Sequence, residues 1–374
     1  MSSVFAMQIL DTTIYVPASR SGHIYSAFSS SEIEKVSLPE GQLFAIELFY
    51  TSYKLSSDFK QSPLNKKRWD RLYEMYPQFQ DSEIHRVETR QTQPVKIEEA
   101  RMAFHGFKLH YVVADDPSGV ENDLKYLGDL VEEKRFPNHI ITEDGSSYRK
   151  YDPEIDKLRL QPKMYFPDTA VLHILKRNAS RWKEILMVAD MTGSMRYHTG
   201  QVLMWMNKWY RTKQLLAFTF FNDGDGKLTE EKRIGQTGGL YEGLALSYEW
   251  IAKQAKACIS NRGANDVLEN DLEAVLFGME KFPQAEDVVL VVDNRSNFRD
   301  QSLVEKINRP LKIILCNTAY GINLNYLNLA LSCRGSVHLK AGDIDMAHVK
   351  EGFQFIHNKQ IYKIKNGVFV KANS

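Results

Sequence analysis

Four apolar runs of strand length constrain this chain most: EILMVA at 184–189, LLAFTFF at 215–221, DVVLVV at 287–292 and LKIILC at 311–316. None alternates polar with apolar residues, so each has to be covered on both faces, as the strands of a parallel sheet are. A shorter run, SVHL, follows at 336–339. Segments of helical periodicity lie at 201–212, 240–257, 269–281, 301–307 and 324–331. Strand and helix in alternation predict an open α/β fold, doubly wound and mostly parallel, with functional groups at the carboxyl ends of the strands. The sequence closes on IYKIKNGVFV, two alternating runs about Asn366-Gly367, a pair that favours a type I′ hairpin.

The first half is less explicit. Strands are expected at 4–9, 43–50 and 109–113, and helices at 63–77 and 122–134. DDPSG at 115–119 is turn chemistry, and the polar segment 143–153 (EDGSSYRKYDP) reads as a linker. The expected organisation is an N-terminal α+β region over 1–160 and the sheet-forming region over 161–374, hairpin included.

Across 374 residues, 48 basic side chains face 47 acidic ones, for a formal charge of +1. That balance gives no whole-molecule attraction to nucleic acid or an anionic membrane. Three scattered cysteines build neither a disulfide framework nor a zinc site. No apolar stretch reaches the roughly 18–20 residues of a spanning helix, and the first twenty residues lack a basic n-region. The expectation is a soluble, cytoplasmic protein without a membrane span.

Chemistry concentrates directly after the first apolar run, in Asp190-Met191-Thr192-Gly193-Ser194. One carboxylate and two hydroxyls at i, i+2 and i+4 leave a strand end together. A magnesium-like cation takes about six oxygen ligands and keeps some waters, so these three side chains supply part of a shell. Asp293 follows DVVLVV, and Asp266 stands in a loop just before the helix at 269–281. The competing reading of Asp190, Thr192 and Ser194 is a helix N-cap.

VADMTGSM, then GANDVLENDLEAV, then VVLVVDN together resemble the von Willebrand factor A domain and its metal-ion-dependent adhesion site. The resemblance covers about half the chain and implies a Rossmann-like sheet binding a divalent cation, magnesium first, with manganese or calcium as alternatives. Carried over residue by residue, it implies Asp190, Thr192, Ser194, Asp266 and Asp293 as metal-holding side chains. Thr192 replaces the family's first serine. The second loop lacks the family's second glycine and its proline, so either Asn265 or Asp266 faces the metal. With Asp266, the dication is over-neutralised, to about −1 net, and is a poorer acceptor for an acidic partner. The implied function is non-catalytic binding of a protein partner that offers a carboxylate to the metal, with Met191, Met195, Arg196, Tyr197 and His198 as the rim.

Other features carry less. The loop at 222–228 (NDGDGKL) has Asp223 and Asp225 at calcium-loop positions but lacks the first and last ligands of an EF-hand. GQTGG at 235–239 lacks the P-loop lysine and reads as a turn. Lys66-Lys67-Arg68 reads as a solvated helix face, and the histidines as structural or surface groups. A magnesium-dependent phosphohydrolase of haloacid dehalogenase type is the enzymatic alternative, although Thr192 stands where its second aspartate belongs. An A domain that folds without metal is the other.

Overall fold

The computed structural model describes residues 11–17, 36–54, 56–81, 83–91, 93–94, 96–113, 119–131, 139–141, 147–149, 168–210, 212, 214–262 and 267–372. The strand expected at 4–9, the boundary near 160, and Asn265 and Asp266 lie outside the described residues.

The N-terminal elements are β1 (Asp11–Pro17), β2 (Gln42–Tyr50), α1 (Gln61–Met75), β3 (His85–Arg90), α2 (Ile97–Met102), β4 (Gly106–Val112) and α3 (Gly119–Leu127). Four strands form a mixed sheet in the order β1-β4-β2-β3, with β2 and β3 parallel and α1 in the connection between them. Ile46, Leu48, Leu72, Phe79, Phe107 and Leu109 make its core. A short antiparallel pair, β5 (His139–Ile141) and β6 (Ser147–Arg149), places strand structure inside the segment expected as linker.

The C-terminal elements are α4 (Ala170–Asn178), β7 (Ile185–Asp190), α5 (Arg196–Trp209), β8 (Leu215–Phe221), β9 (Leu240–Leu244), α6 (Tyr248–Asn261), α7 (Asp271–Lys281), β10 (Val288–Asp293), β11 (Leu311–Cys316), α8 (Leu324–Ser332), β12 (Ser336–Leu339) and β13 (Gly342–Asp345). Seven strands form one mostly parallel sheet, ordered β13-β12-β11-β10-β7-β8-β9, with both edge strands antiparallel to their neighbours. Every residue of β7 and β10 is buried, as two-faced cover requires. Ile185, Met187 and Ala189 face a core shared with α4, α5 and α6, while Leu186 and Val188 face one shared with α7 and α8. Leu127 and Val131, at the end of the N-terminal half, pack into the first of these cores.

Two expectations need correction. The helix expected over 240–257 is instead the edge strand β9 followed by α6, because residues 240–244 pair with β8. Gly243 permits this: a Cβ there would lie 2.1 Å from Nε1 of Trp250. The segment 301–307 is a 3-10 helix over Gln301–Lys306.

The hairpin forms as β15 (Gln360–Lys365) and β16 (Val368–Ala372), with φ of 54° at Asn366 and 77° at Gly367. It joins β14 (Gln354–His357) in a three-stranded sheet, and Tyr362, Ile364 and Phe369 enter the core beside α8.

Candidate functional site

Chain order along the large sheet reverses between β7 and β10, which pair in parallel up to Ala189 and Val291. Such a reversal opens a crevice at the carboxyl ends of the two strands. Asp190 ends one and Asp293 ends the other, so the topology brings two of the five sequence-derived residues to one crevice.

After Asp190 the backbone turns through a short 3-10 segment, Gly193–Met195, into α5. Oδ1 of Asp190 accepts the Thr192 amide at 2.7 Å, which folds the turn back over the carboxylate. The Thr192 and Ser194 hydroxyls stand 3.4 Å apart. Neither side chain caps α5. Asp190 is 1% exposed, and its Oδ2 has no hydrogen-bond partner among the described residues. Burial, together with the charges of Asp223 and Asp293, pushes its carboxyl well above the usual range, although the Thr192 hydrogen bonds oppose this.

Asp293 is in the opposite condition. Burial pushes its carboxyl up, but Arg295 more than offsets this and leaves it below the ordinary value. Nε of Arg295 donates to Oδ1 at 3.0 Å and Oδ2 at 3.2 Å, and Nη2 donates to Oδ2 at 2.8 Å. The Arg295 amide and the side-chain amide of Asn317 each donate to Oδ1 at 3.0 Å. With its nitrogen facing Asp293, Asn317 turns its oxygen to Nε2 of His198 at 3.1 Å.

Two further acids stand here: Asp223, which the sequence offers only within an incomplete calcium loop, and Glu269, which it does not single out. Asp223, two residues beyond the end of β8, and Glu269, just before α7, are buried. Burial and the charges of Asp223 and Asp190 push the Glu269 carboxyl well up. Asp271, in the first turn of α7, is pushed up in the same way, although it accepts the Tyr326 hydroxyl at 2.6 Å. An acid within two residues of an apolar strand end was the available signal for Asp223; Glu269, just ahead of a helix, carries no such signal.

The remaining motifs resolve locally. The rim shrinks: Met191, Met195 and His198 are buried, and Arg196 is ion-paired with Asp123 of α3. Tyr197 stays half-buried, edge-on to Tyr126. The amides of Thr237 and Gly238 donate to the Glu273 carboxylate at 3.0 and 3.1 Å, so the glycine-rich turn clasps a side chain of its own fold. In the 222–228 loop, Asn222 accepts the amides of Gly224 and Asp225, an internal turn. Arg68 of the basic run is fully buried, and Lys66 pairs with Asp70.

Hard oxygen donors therefore gather at the crevice: the Asp190 carboxylate, two hydroxyls, and the acids Asp223 and Glu269 nearby. Buried like charges of this kind call for protons or a cation. Among the described residues no three acidic, histidine or cysteine side chains are arranged as a cation cage. Any ion here would rest on the hydroxyls of Thr192 and Ser194 as well as on acid, a donor set suited to a hard dication that keeps waters. No family model matches the chain, and no curated protein or solved structure matches it either.

Proposed function

We propose that the chain is a non-catalytic, divalent-metal-dependent protein-binding protein whose C-terminal half is a doubly wound domain of von Willebrand factor A type. The observation that carries this reading is the buried Oδ2 of Asp190, without a hydrogen-bond partner among the described residues, beside the paired hydroxyls of Thr192 and Ser194 at the strand reversal. Asp190, Thr192 and Ser194 would hold the ion, magnesium first and manganese or calcium as alternatives. Asp293 would join on release from Arg295, and Asp266 remains a proposed ligand from the sequence alone.

When bound, the ion supplies an open position for an oxygen of a partner protein, a carboxylate above all. The chain's own residues orient the donors: the Thr192 amide fixes Asp190, and the short 3-10 turn sets the two hydroxyls side by side. A phosphohydrolase is the weaker reading, because Thr192 stands where that chemistry needs a second aspartate. An A-type fold that works without metal is the second reading, favoured by the guanidinium that already neutralises Asp293. Neither a nucleic-acid partner nor a membrane span enters the proposal; no helix among the described residues is long and apolar enough to cross a membrane.

Equilibrium dialysis of manganese against the full chain tests the reading. One ion per chain, lost in Asp190→Ala, is expected. Equal retention by wild type and Asp190→Ala would move the site elsewhere, and no retention by either would favour the metal-free fold.

A further inference from the structure

We propose that Arg295 is an internal counter-cation that competes with the metal for Asp293, and that Phe44 of the N-terminal sheet holds it in place. The chain then sets the affinity of its own site. The inference rests on the reading of Asp190, Thr192 and Ser194 as metal-holding side chains.

The two acids at the crevice differ in how fully they are used. A carboxylate offers about four lone-pair sites. Oδ1 of Asp293 accepts from the Arg295 amide, from Nε and from Asn317, while Oδ2 accepts from Nε and Nη2. No capacity is left for an ion or for water bound to one. Asp190 is equally buried and keeps an oxygen without a partner among the described residues. A dication at Asp190 therefore finds its second acid occupied, by a positive charge that repels it. Either Arg295 withdraws, or the ion is held without Asp293.

Arg295 is not free to swing. Its side chain is 10% exposed, and its guanidinium carbon lies 5.7 Å from the centroid of the Phe44 ring, within cation–π reach. Phe44 belongs to β2 and packs in a small buried cluster with Ala45 and Val112, against Val267 and Tyr320. Val267 directly follows Asp266 in the sequence. One patch of the N-terminal sheet thus packs against both Arg295 and Val267. This is also a role for the N-terminal half that the sequence leaves open: it holds the counter-cation on Asp293 and so keeps the metal weak.

Calorimetric titration of manganese chloride into the EDTA-treated, desalted full chain tests this, with wild type, Arg295→Met, Arg295→Lys and Phe44→Leu, each with and without Asp190→Ala. Arg295→Met removes the competing charge and strands a buried carboxylate, so its affinity rises by about tenfold or more. Arg295→Lys keeps the charge without the fork and falls between Arg295→Met and wild type. Phe44→Leu keeps an apolar core but removes the ring face, and tightens binding by about two- to fivefold. Asp190→Ala abolishes binding in every background. If Arg295→Met does not fold without metal, the Phe44→Leu titration decides, and affinity equal to wild type overturns the proposal. Binding that depends on Asp190 but is no tighter in Arg295→Met overturns the competition and leaves the metal reading standing. Absence of Asp190-dependent binding in all variants removes both.

Discussion

The guanidinium of Arg295 donates to both carboxylate oxygens of Asp293, two residues before it, so the acid that ends β10 carries its own cation. Removing one partner of a buried pair leaves an uncompensated charge, at a cost of about 3–5 kcal/mol. Arg295→Ala is therefore expected to lose about that much stability in EDTA, read from the urea midpoint. Arg295→Met/Asp293→Asn, which removes both charges, is expected to recover most of it.

Asp123 is the second such junction. It is 1% exposed and meets Arg196, just after the 3-10 turn, and Arg262 Nη1 at 2.5 Å, four residues before Asp266 in the sequence. Asp123→Ala strands the buried guanidinium of Arg262 and the half-buried one of Arg196 and is expected to cost about 3–5 kcal/mol in urea unfolding. Asp123→Asn, which retains an acceptor, is expected to lose less.

Gly239 tests the backbone around the glycine-rich turn. Its φ is +69°, and a Cβ there would stand 2.0 Å from Oδ1 of Asn222 and 2.8 Å from the Gly224 amide. That oxygen organises the loop after β8. Gly239→Ala is expected to cost more than about 2 kcal/mol, through both strain and the displaced Asn222. Gly235→Ala, at φ +81° with nothing within 4 Å of the added carbon, bears only the conformational strain and is expected to cost less in the same unfolding assay.

Asp300 gives a pH dependence with a definite sign. Burial pushes its carboxyl up to about 6 from the ordinary 3.8, even though its Oδ2 accepts the Glu273 amide at 2.7 Å. A raised acid binds its proton more tightly in the folded state, so the fold is relatively stabilised below the unfolded pKa. That contribution is lost as pH rises through about 6. The Asp300 contribution therefore grows as pH falls from about 7 to about 4, against the opposite contribution of His85, whose buried ring is held down to about 3 and stays neutral in the fold. Asp293 acts with the opposite sign, but its lowered pKa confines the loss to pH below the ordinary aspartate value. Relative to wild type, Asp300→Asn is expected to raise stability at pH 7 by on the order of 1 kcal/mol and by less at pH 5. Urea midpoints at pH 7 and pH 5 read both.

The large sheet was legible because fully buried strands leave no polar alternation: the runs at 215–221 and 311–316 coincide with β8 and β11, and those at 184–189 and 287–292 lie one residue early. β9 was not legible, since LYEGL is a half-buried edge strand that Gly243 fits under Trp250, and nothing local separates it from the helix that follows. Asp190, Thr192 and Ser194 could be read together because one turn carries them. Whether Asp293 is available could not, because that depends on how the Arg295 side chain folds back and on Phe44, about 250 residues earlier in the chain. Asp223 and Glu269 reach the same crevice from β8 and the α7 approach, and only the strand order puts them there.

Thermal unfolding in EDTA against millimolar magnesium, manganese and calcium, on wild type and on Asp190→Ala/Ser194→Ala, tests the metal site most directly. A ligand bound only to the folded state stabilises by mass action, by about 2.7 kcal/mol at a hundred times its dissociation constant. A rise of a few degrees in wild type, absent from the double variant, is the predicted result. No rise in either protein, with the double variant melting at or above wild type in EDTA, would contradict a metal site at Asp190 and leave a fold neutralised from within by Arg295.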